Sequence, residues 1–268
     1  KELYRYFLDM AREKWHWVQV FHLDDDGMVQ EIFDWRDSMR NKPATANAAL
    51  GVLKALFSWA QKRRKIKVNP AQFVEKLKTS SRKDKIWRQQ QLEEFCDAAI
   101  PRVRDIFLAA LFTGQRKGDV LKLEWADYDG EWLHVVQRKT GAEVHLPVYK
   151  LQPLKQVLDI QPKVGPTIFT NRQDQPWSSN NLFEHFKPSR VKAKAEDLHW
   201  HDLRGTLVSM LGEAGCTEIQ IAAIRGHSVV KSSVGGYLNM GQTLAIEAYA
   251  KLDSMLRQNP TNNLQINH

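Results

Sequence analysis

Cysteine is scarce in this chain, and its scarcity limits the classes of protein to which the chain can belong. The 268 residues include two cysteines, Cys96 and Cys216. Two cysteines do not make the disulfide framework of a small secreted domain, and this usage fits a reducing cytosol. A chain of this length, 43% hydrophobic, can bury a sizeable core in one large or two modest domains. We therefore expect a cytoplasmic protein.

Long apolar runs and several common site motifs are also missing. The longest apolar run, residues 106–112, is too short to cross a bilayer, and the opening KELYRYFLDM lacks the apolar stretch of a signal peptide. No Gly-x-Ser-x-Gly elbow marks a serine hydrolase. His199, His201, His227 and Cys216 lack structural zinc spacing, and no Cys-x-x-Cys accompanies them. We expect no membrane association and no metal.

Positive charge is abundant and unevenly placed. The formal net charge is +8 and the isoelectric point is near 9.4, which favours an anionic partner, nucleic acid before membrane. Residues 1–82 carry 16 Lys and Arg against 10 Asp and Glu, a surplus of 6, so the remaining residues have a surplus of 2. Charge alone does not decide the point, since many basic proteins bind nothing acidic.

The first 78 residues have helical periodicity. Apolar residues recur at helical spacing from Leu3 to Ala11 and again from Ala49 to Ala60, with Thr45 or Asn47 as the expected cap of the second helix. That helix runs into a cluster of basic residues, which we call the basic cluster: Lys62, Arg63, Arg64, Lys65 and Lys67. It is either a set of DNA phosphate contacts or a solvated helix end that complements the helix dipole.

A change in composition predicts two domains. The segment 79–85, TSSRKDK, is polar and without apolar periodicity, so we expect a linker there. It separates a helical domain, 1–82, from a second domain, 83–257. The tail 258–268, QNPTNNLQINH, is predicted to be disordered.

Within the second domain the apolar period changes once. Residues 132–137 and 144–148 alternate in the manner of strands on either side of a turn at Thr140-Gly141, and helical signals surround them. The predicted fold is mainly α with a small antiparallel β-sheet, an α+β chain.

Candidate site residues lie in five short motifs. Arg116 follows a tight turn after a helix and can present a rigid planar fork to a phosphate, with Asp119 one helical turn away to orient it. The alternative is a surface Arg–Asp pair worth little. Lys139 lies at the predicted hairpin tip, where it is either a group that enters a groove or an ordinary turn lysine.

The remaining motifs lie between residues 201 and 237. His201 and Arg204, in HDLRGT, have the i, i+3 spacing of one helix face. A capping box, Thr217-x-x-Gln220, opens the next helix, and Gly226 is its expected left-handed end, so that His227 leaves in a fixed direction. Tyr237 follows two glycines.

Together these motifs resemble the tyrosine recombinase, or phage-type integrase, family. TGQRKGDVLKLEW is similar to the first arginine box, QRKTGAEVHLPV to the hairpin with the catalytic lysine, HDLRGT to the second box and RGHS to the third. The resemblance covers nearly all of the chain and makes residues 1–82 a core-binding domain and 83–257 a catalytic domain. Arg225 stands where a leucine is usual, and Tyr237 lies one residue farther from His227 than is usual.

The resemblance implies a site-specific DNA recombinase that acts through a 3′-phosphotyrosyl intermediate, in the integration or excision of a mobile element. Arg116, Arg204 and His227 would bind the phosphate, Lys139 would be the general acid, His201 the base and Tyr237 the nucleophile. It also implies double-stranded attachment sites, a homo-tetramer and accessory DNA-bending or directionality factors, but no cofactor. The resemblance further implies a bacterial or phage-encoded protein that is associated with the nucleoid of a bacterial cell.

Two alternative functions stay open from the sequence, together with two questions about assembly and length. A DNA-binding regulator of the same fold with a derelict site is one, and a type IB topoisomerase is another. The segment 241–257 is expected to pack on a neighbouring subunit, or else on its own domain, through Leu244, Ala248 and Leu252. Because the chain begins on Lys1, it is also compatible with a fragment that has lost an N-terminal arm-binding domain.

Overall fold

The chain divides into two compact units, Lys1–Ser81 and Arg82–His268. The structure is a computed structural model that describes residues 2–82, 84–226 and 237–258, with the backbone alone at 21, 26 and 237–239. The predicted tail lies outside these residues, apart from Gln258. Among the described residues no helix is both long and apolar enough to span a bilayer.

The first unit is helical around a core of its own. Its helices are α1 (Glu2–Trp15), α2 (Asp26–Ser38) and α3 (Pro43–Lys62), with a 3-10 turn at Pro70–Phe73. The predicted periodicity places Phe7, Ala11, Leu53 and Phe57 in that core, although Leu3 is exposed.

The predicted cap of α3 was wrong. The helix begins at Pro43, because a proline at the first helical position needs no N–H partner and already has a helical φ. Asn47 therefore lies inside the helix, where its side-chain amide donates to the carbonyl of Leu77 and accepts from the N–H of Leu77, both at 2.8 Å. It ties the end of the unit to α3.

The second unit is mostly helical with one hairpin, and it confirms the predicted α+β fold class. Its elements in chain order are α4 (Gln89–Ala98), α5 (Pro101–Thr113), α6 (Lys117–Val120), β1 (Trp132–Val136), β2 (Glu143–Pro147), α7 (Gln152–Asp159), α8 (Ser179–Lys192), α9 (Leu203–Glu213), α10 (Glu218–Arg225) and α11 (Tyr237–Gln258).

The hairpin has the predicted turn and two different faces. β1 and β2 are antiparallel, with Leu133 opposite Leu146 and Val135 opposite Val144. These four side chains face the core, as period-two alternation requires. The turn closes where the N–H of Gly141, at φ 69°, donates to the carbonyl of Gln137 at 2.7 Å.

Helix α5 lies at the centre of the second core and α11 covers one side of it. Residues 105–113 of α5 are all buried, because the helix has apolar contacts on nearly every face. The Tyr249 hydroxyl of α11 donates to the carbonyl of Phe112 at 2.8 Å, and its ring is fully buried. Ala248 and Leu252 are buried in the same core. The expectation that this face of α11 packs on a neighbouring subunit is therefore corrected. The face packs on its own domain, because α11 covers apolar surface that α5 presents.

The predicted linker is held to the second unit at its far end. The Arg82 guanidinium pairs with Asp202, which is almost fully buried, and also donates to the carbonyl of Asp197 at 2.8 Å. Lys85 pairs with Asp197 at 2.5 Å. The end of the linker is thus bound to Asp202, the residue that follows His201.

Gly114 sets the turn that leads out of α5, and it generates a stability prediction. Its φ is 60°, and a Cβ there would lie 2.7 Å from Leu207 Cδ2. We expect Gly114→Ala to lower the free energy of unfolding by about 1–2 kcal/mol, the cost of a left-handed residue with a Cβ. Urea denaturation followed by tryptophan fluorescence measures this.

Gly212→Ala is the matched control, because that helical glycine has open space around it. It should be neutral or gain up to about 1 kcal/mol from helix propensity. Equal stability of the Gly114→Ala variant and the wild type would contradict the prediction.

Candidate active site

Arg116 is presented by the turn between α5 and α6. Gly114 ends α5 in the left-handed conformation, and Arg116 is the extended residue that precedes α6. Its side chain is 28% exposed, so one part of the guanidinium is held by protein and another faces solvent. This is the geometry that the sequence predicts for an arginine after a tight turn.

Arg116 is held by a hydrogen bond to Gln137, a residue for which the sequence predicted no role. Arg116 Nη1 donates to Gln137 Oε1 at 3.0 Å. The amide nitrogen of Gln137 donates in turn to Gln115 Oε1 at 2.8 Å and to the carbonyl of Arg225 at 2.7 Å. Both glutamines are 1% exposed. Since a buried amide is costly without partners, this network fixes the side chains in one arrangement.

Asp119 contributes charge more than direct orientation. Its Oδ2 lies 3.9 Å from Arg116 Nη1, too far for a hydrogen bond, and is buried without a hydrogen-bond partner among the described residues. Its Oδ1 accepts from the N–H of Arg138 at 3.2 Å. Asp119 therefore joins the α5–α6 turn to the hairpin and supplies a negative charge beside the arginine.

His201 and Arg204 do not share a helix, contrary to the prediction. His201 lies in a 3-10 turn, Trp200–Asp202, and α9 begins only at Leu203, because the Asp202 side chain accepts from the N–H of His199 at 2.7 Å and tightens the turn. His201 is exposed, whereas Arg204 is 6% exposed. Partial burial, and then the charge of Arg204, lower the pKa of His201, which favours a neutral ring at pH 7.

Arg204 is a buried cation for which the described residues supply no counterion. Its Nη1 is buried with no hydrogen-bond partner, and no ion pair to it occurs in the described ranges. Burial lowers its pKa to about 10, helped by the charges of Arg116 and Arg225 and opposed by Asp119. An unpaired buried charge is expensive. Such a site is suited to a bound anion.

Arg225 is the third cation of this group, and the sequence marked it only as a departure from the usual leucine. It ends α10, and its Nε is buried without a described partner. Burial and then Arg116 lower its pKa. The helix end is formed as predicted, with the Thr217–Gln220 capping box at its start and Gly226 left-handed at φ 68°. We call Arg116, Arg204 and Arg225 the arginine cluster.

Lys139 lies where the sequence predicts, exposed in the turn between β1 and β2. Gln137, two residues earlier, belongs to the network that holds Arg116, and the Thr140 hydroxyl donates to the same Gln137 oxygen at 2.9 Å. The turn with Lys139 is therefore anchored to the arginine cluster at its base.

Two predicted residues cannot be placed by their side chains. His227 lies outside the described residues. Tyr237 is the first residue of α11, and its backbone alone is described. The arginine cluster, Asp119, His201 and the base of the Lys139 turn are the parts of the site that the structure brings together.

The basic cluster in the first unit is exposed at the end of α3. Lys62, Arg63, Arg64, Lys65 and Lys67 are all exposed, whereas Ile66 between them is buried and anchors the turn. The Arg63 guanidinium stacks over the Trp59 ring at 4.5 Å, and Arg64 has a positive φ of 55°. The cluster is free of the core and open to an anionic partner.

A family model matches the part of the chain that carries this site. The model of the phage integrase family matches residues 85–241, more than half of the chain. The chain belongs to the phage integrase family. The resemblance predicted from the five motifs is confirmed.

Curated relatives of this chain have low sequence identity to it, but the alignments cover most of its length. The shufflon-specific DNA recombinase of Escherichia coli is 27% identical over 228 residues, covering 81% of this chain and 56% of the relative. The ICEBs1 integrase of Bacillus subtilis is 25% identical and covers 85% and 71%, respectively. The chain thus spans about half the length of some curated integrases that it matches.

Solved structures share the integrase fold. A lambda integrase (75-356) dimer bound to a COC' core site matches with a TM-score of 0.71 at 21% identity, covering 87% of this chain and 90% of the other. A lambda integrase tetramer bound to a Holliday junction matches with a TM-score of 0.65 at 23% identity, covering 78% and 67%. At these identities the likeness concerns the fold.

The buried charge of Arg204, for which the described residues supply no counterion, should lower the stability of the folded chain. Because its folded-state pKa lies below the unfolded value, the charged group costs stability at every pH below about 10. We expect Arg204→Met to raise the free energy of unfolding at pH 7 by about 1 kcal/mol or more, as measured by urea denaturation at low salt.

Two further variants complete this test. Asp119→Asn should lower stability, because it removes a negative charge near the three arginines. Arg172→Met, at an exposed arginine, should leave stability unchanged. A loss of stability in Arg204→Met would show that the guanidinium is stabilising where it lies and would contradict the prediction.

Proposed function

We propose that this chain is a tyrosine-type site-specific DNA recombinase that cleaves and rejoins duplex DNA through a 3′-phosphotyrosyl intermediate, for the integration or excision of a mobile element. Its family and relatives named as integrases and recombinases support the proposal. The observation that carries it is the buried Arg204, which has no counterion among the described residues and feels the charges of two further arginines. A DNA phosphate is an anion that would compensate this charge.

The chemistry follows from the charges of the site. The phenolate oxygen of Tyr237 attacks the phosphorus, the bond to the 5′ oxygen of the next nucleotide breaks, and that oxygen takes a proton to become a hydroxyl. Arg116 and Arg204 stabilise the non-bridging oxygens as charge develops, with His227 as a further donor. They fill the charge-neutralising role that Mg²⁺ has in many phosphoryl transfers.

Proton transfer is assigned to one general base and one general acid. His201 accepts the phenolic proton, which its lowered pKa supports because the ring is neutral at pH 7. Lys139, exposed on its turn, protonates the departing 5′ oxygen. Attack by a 5′-hydroxyl of a second strand then reverses the reaction and returns the tyrosine.

The partners and location follow the same proposal. The basic cluster contacts phosphates of a duplex attachment site, and residues 1–82 and 83–257 are the core-binding and catalytic domains, joined by the linker 79–85. A homo-tetramer on paired sites is supported by the fold shared with a tetramer bound to a Holliday junction. Accessory DNA-bending or directionality factors and a location on the nucleoid of a bacterial cytoplasm complete the proposal.

A suicide substrate tests the mechanism. The site is first selected from a random duplex pool by binding to the whole chain. The duplex is then nicked just to the 3′ side of the cleaved bond, so that the short fragment that carries the new 5′-hydroxyl diffuses away. We expect a covalent protein–DNA band on a denaturing gel from the wild type and none from Tyr237→Phe, because the phenol oxygen forms the bond.

The alternative functions give different outcomes in this assay and in a parallel assay of supercoil relaxation. Binding without any covalent band is the result expected of a derelict regulator. A band together with relaxation of supercoils at many sites, without strand exchange, indicates a type IB topoisomerase. A covalent band that persists in Tyr237→Phe would assign the nucleophile elsewhere.

Arg225 gives a second prediction for this reaction. If its guanidinium shares the phosphate with Arg116 and Arg204, Arg225→Leu should slow covalent complex formation by about 100-fold, the lower end of the range for loss of a single transition-state donor. Arg225→Lys should recover part of the rate, since it keeps the charge but loses the planar fork.

The control is Arg172→Leu, an exposed arginine outside the site, which should react at the wild-type rate. A wild-type rate in Arg225→Leu would mean that the third arginine takes no part in the reaction and that leucine serves equally at this position.

A further inference from the structure

Two histidines face each other on the outer face of the hairpin. His134 of β1 and His145 of β2 are directly opposed in the register. Their rings are stacked, with centroids 4.5 Å apart and planes inclined by 18°. The pair lies on the face opposite to the buried Leu133, Val135 and Val144, so it is not part of the core packing of the strands.

A carboxylate completes a group of three. Glu143 Oε2 lies 3.7 Å from His134 Nε2, because Glu143 is two residues from His145 on the same face of β2. One ligand atom from each of His134, Glu143 and His145 lies within 4.8 Å of the others.

The ring nitrogen Nε2 of His134 is placed where a binding partner would stabilise it. This nitrogen is buried and has no hydrogen-bond partner among the described residues. Leaving a buried polar atom unsatisfied costs about 1–3 kcal/mol. A cation bound by its lone pair would remove that cost, whereas a hydrophobic packing role for the ring would not.

The surroundings favour a cation. His134 and His145 line a cavity of about 380 Å³ together with Asp127 and Asp129. Hydrogen bonds from the N–H groups of Trp132 and Glu131 lower the pKa of Asp129, which keeps this carboxylate ionised. The cavity therefore has negative charge at its edge in a protein that is otherwise basic.

We propose that His134, Glu143 and His145 form a binding site for a divalent transition-metal ion, Zn²⁺ first among them. Two imidazoles and one carboxylate are a donor set for this class of ion, whereas Mg²⁺ and Ca²⁺ prefer oxygen ligands alone. Each ring turns about its χ2 torsion, because the lone pairs of parallel stacked rings do not converge. Water fills the remaining coordination positions.

The proposed ion would clamp β1 to β2 beside the turn that carries Lys139. Glu143 lies only four residues after Lys139, so the clamp would restrain the end of that turn. The site is distinct from His199, His201 and Cys216, whose spacing argued against zinc. Its existence does not depend on DNA recombination.

Titration of the whole metal-free chain with Zn²⁺ tests the site. We expect one Zn²⁺ per chain by calorimetry at pH 7.5, and a Zn²⁺-dependent rise in the melting temperature. Co²⁺ in place of Zn²⁺ should give visible d–d absorption bands that report a site with nitrogen ligands. His145→Ala, His134→Asn and Glu143→Gln should each weaken binding by more than about tenfold.

The controls use histidines elsewhere in the chain. His16→Asn and His185→Asn, at exposed positions of the two units, should bind as the wild type does. The Co²⁺ spectrum of each folded variant separates loss of a ligand from loss of the fold. No saturable binding by the wild type, or binding that survives His134→Asn and His145→Ala but is lost in His201→Asn, would overturn the proposal.

Discussion

The buried charge of Arg204, which has no counterion among the described residues, is the constraint on which the candidate site depends. A guanidinium that is 6% exposed, with one nitrogen lacking a partner in the described ranges, is held near two other arginines rather than near a carboxylate that pairs with it. The fold sustains this because α9 buries its apolar side, including Leu207 and Leu211, in the core of the second unit. Part of the stability of that core offsets the cost of the charge, and a phosphate would recover it.

Two buried amides join the segments that surround this charge. Gln115 follows α5, Gln137 follows β1, and the carbonyls of Ile224 and Arg225 end α10; hydrogen bonds of 2.7–3.1 Å connect all three. An amide side chain can donate and accept at once, so each glutamine bridges two partners. Because Arg116 donates to Gln137, its position is determined by the hairpin and α10 as well as by its own turn.

Each face of the β1–β2 hairpin has a separate role. Its inner face brings Gln137 into the amide network and holds the turn of Lys139. Its outer face places His134, Glu143 and His145 together. The same two-residue period that buries Leu133 and Val135 puts the histidines on the other side, so a substitution that shifted the register would disturb both faces at once.

Much of the site was predictable from local sequence, because local patterns determine local geometry. The turn before Arg116, the hairpin tip with Lys139 and the capped helix ending at Gly226 each depend on residues a few positions apart, and the structure has all three. The shared helix face of His201 and Arg204 was wrong, since the Asp202 side chain closes a 3-10 turn that the i, i+3 spacing does not reveal.

By itself the sequence determined the family and the α+β class, and it predicted a set of site residues, because these follow from residue types at short spacing. Only the tertiary structure decided which of them meet. Gln137 reached Arg116 from 21 residues away, and His134 met His145 across the hairpin. Arg225 became the third arginine of the cluster for the same reason, as α10 packs beside the α5 turn. Contacts of this kind depend on how elements pack and on strand register, which the free energy of the whole core selects and no single stretch of sequence contains.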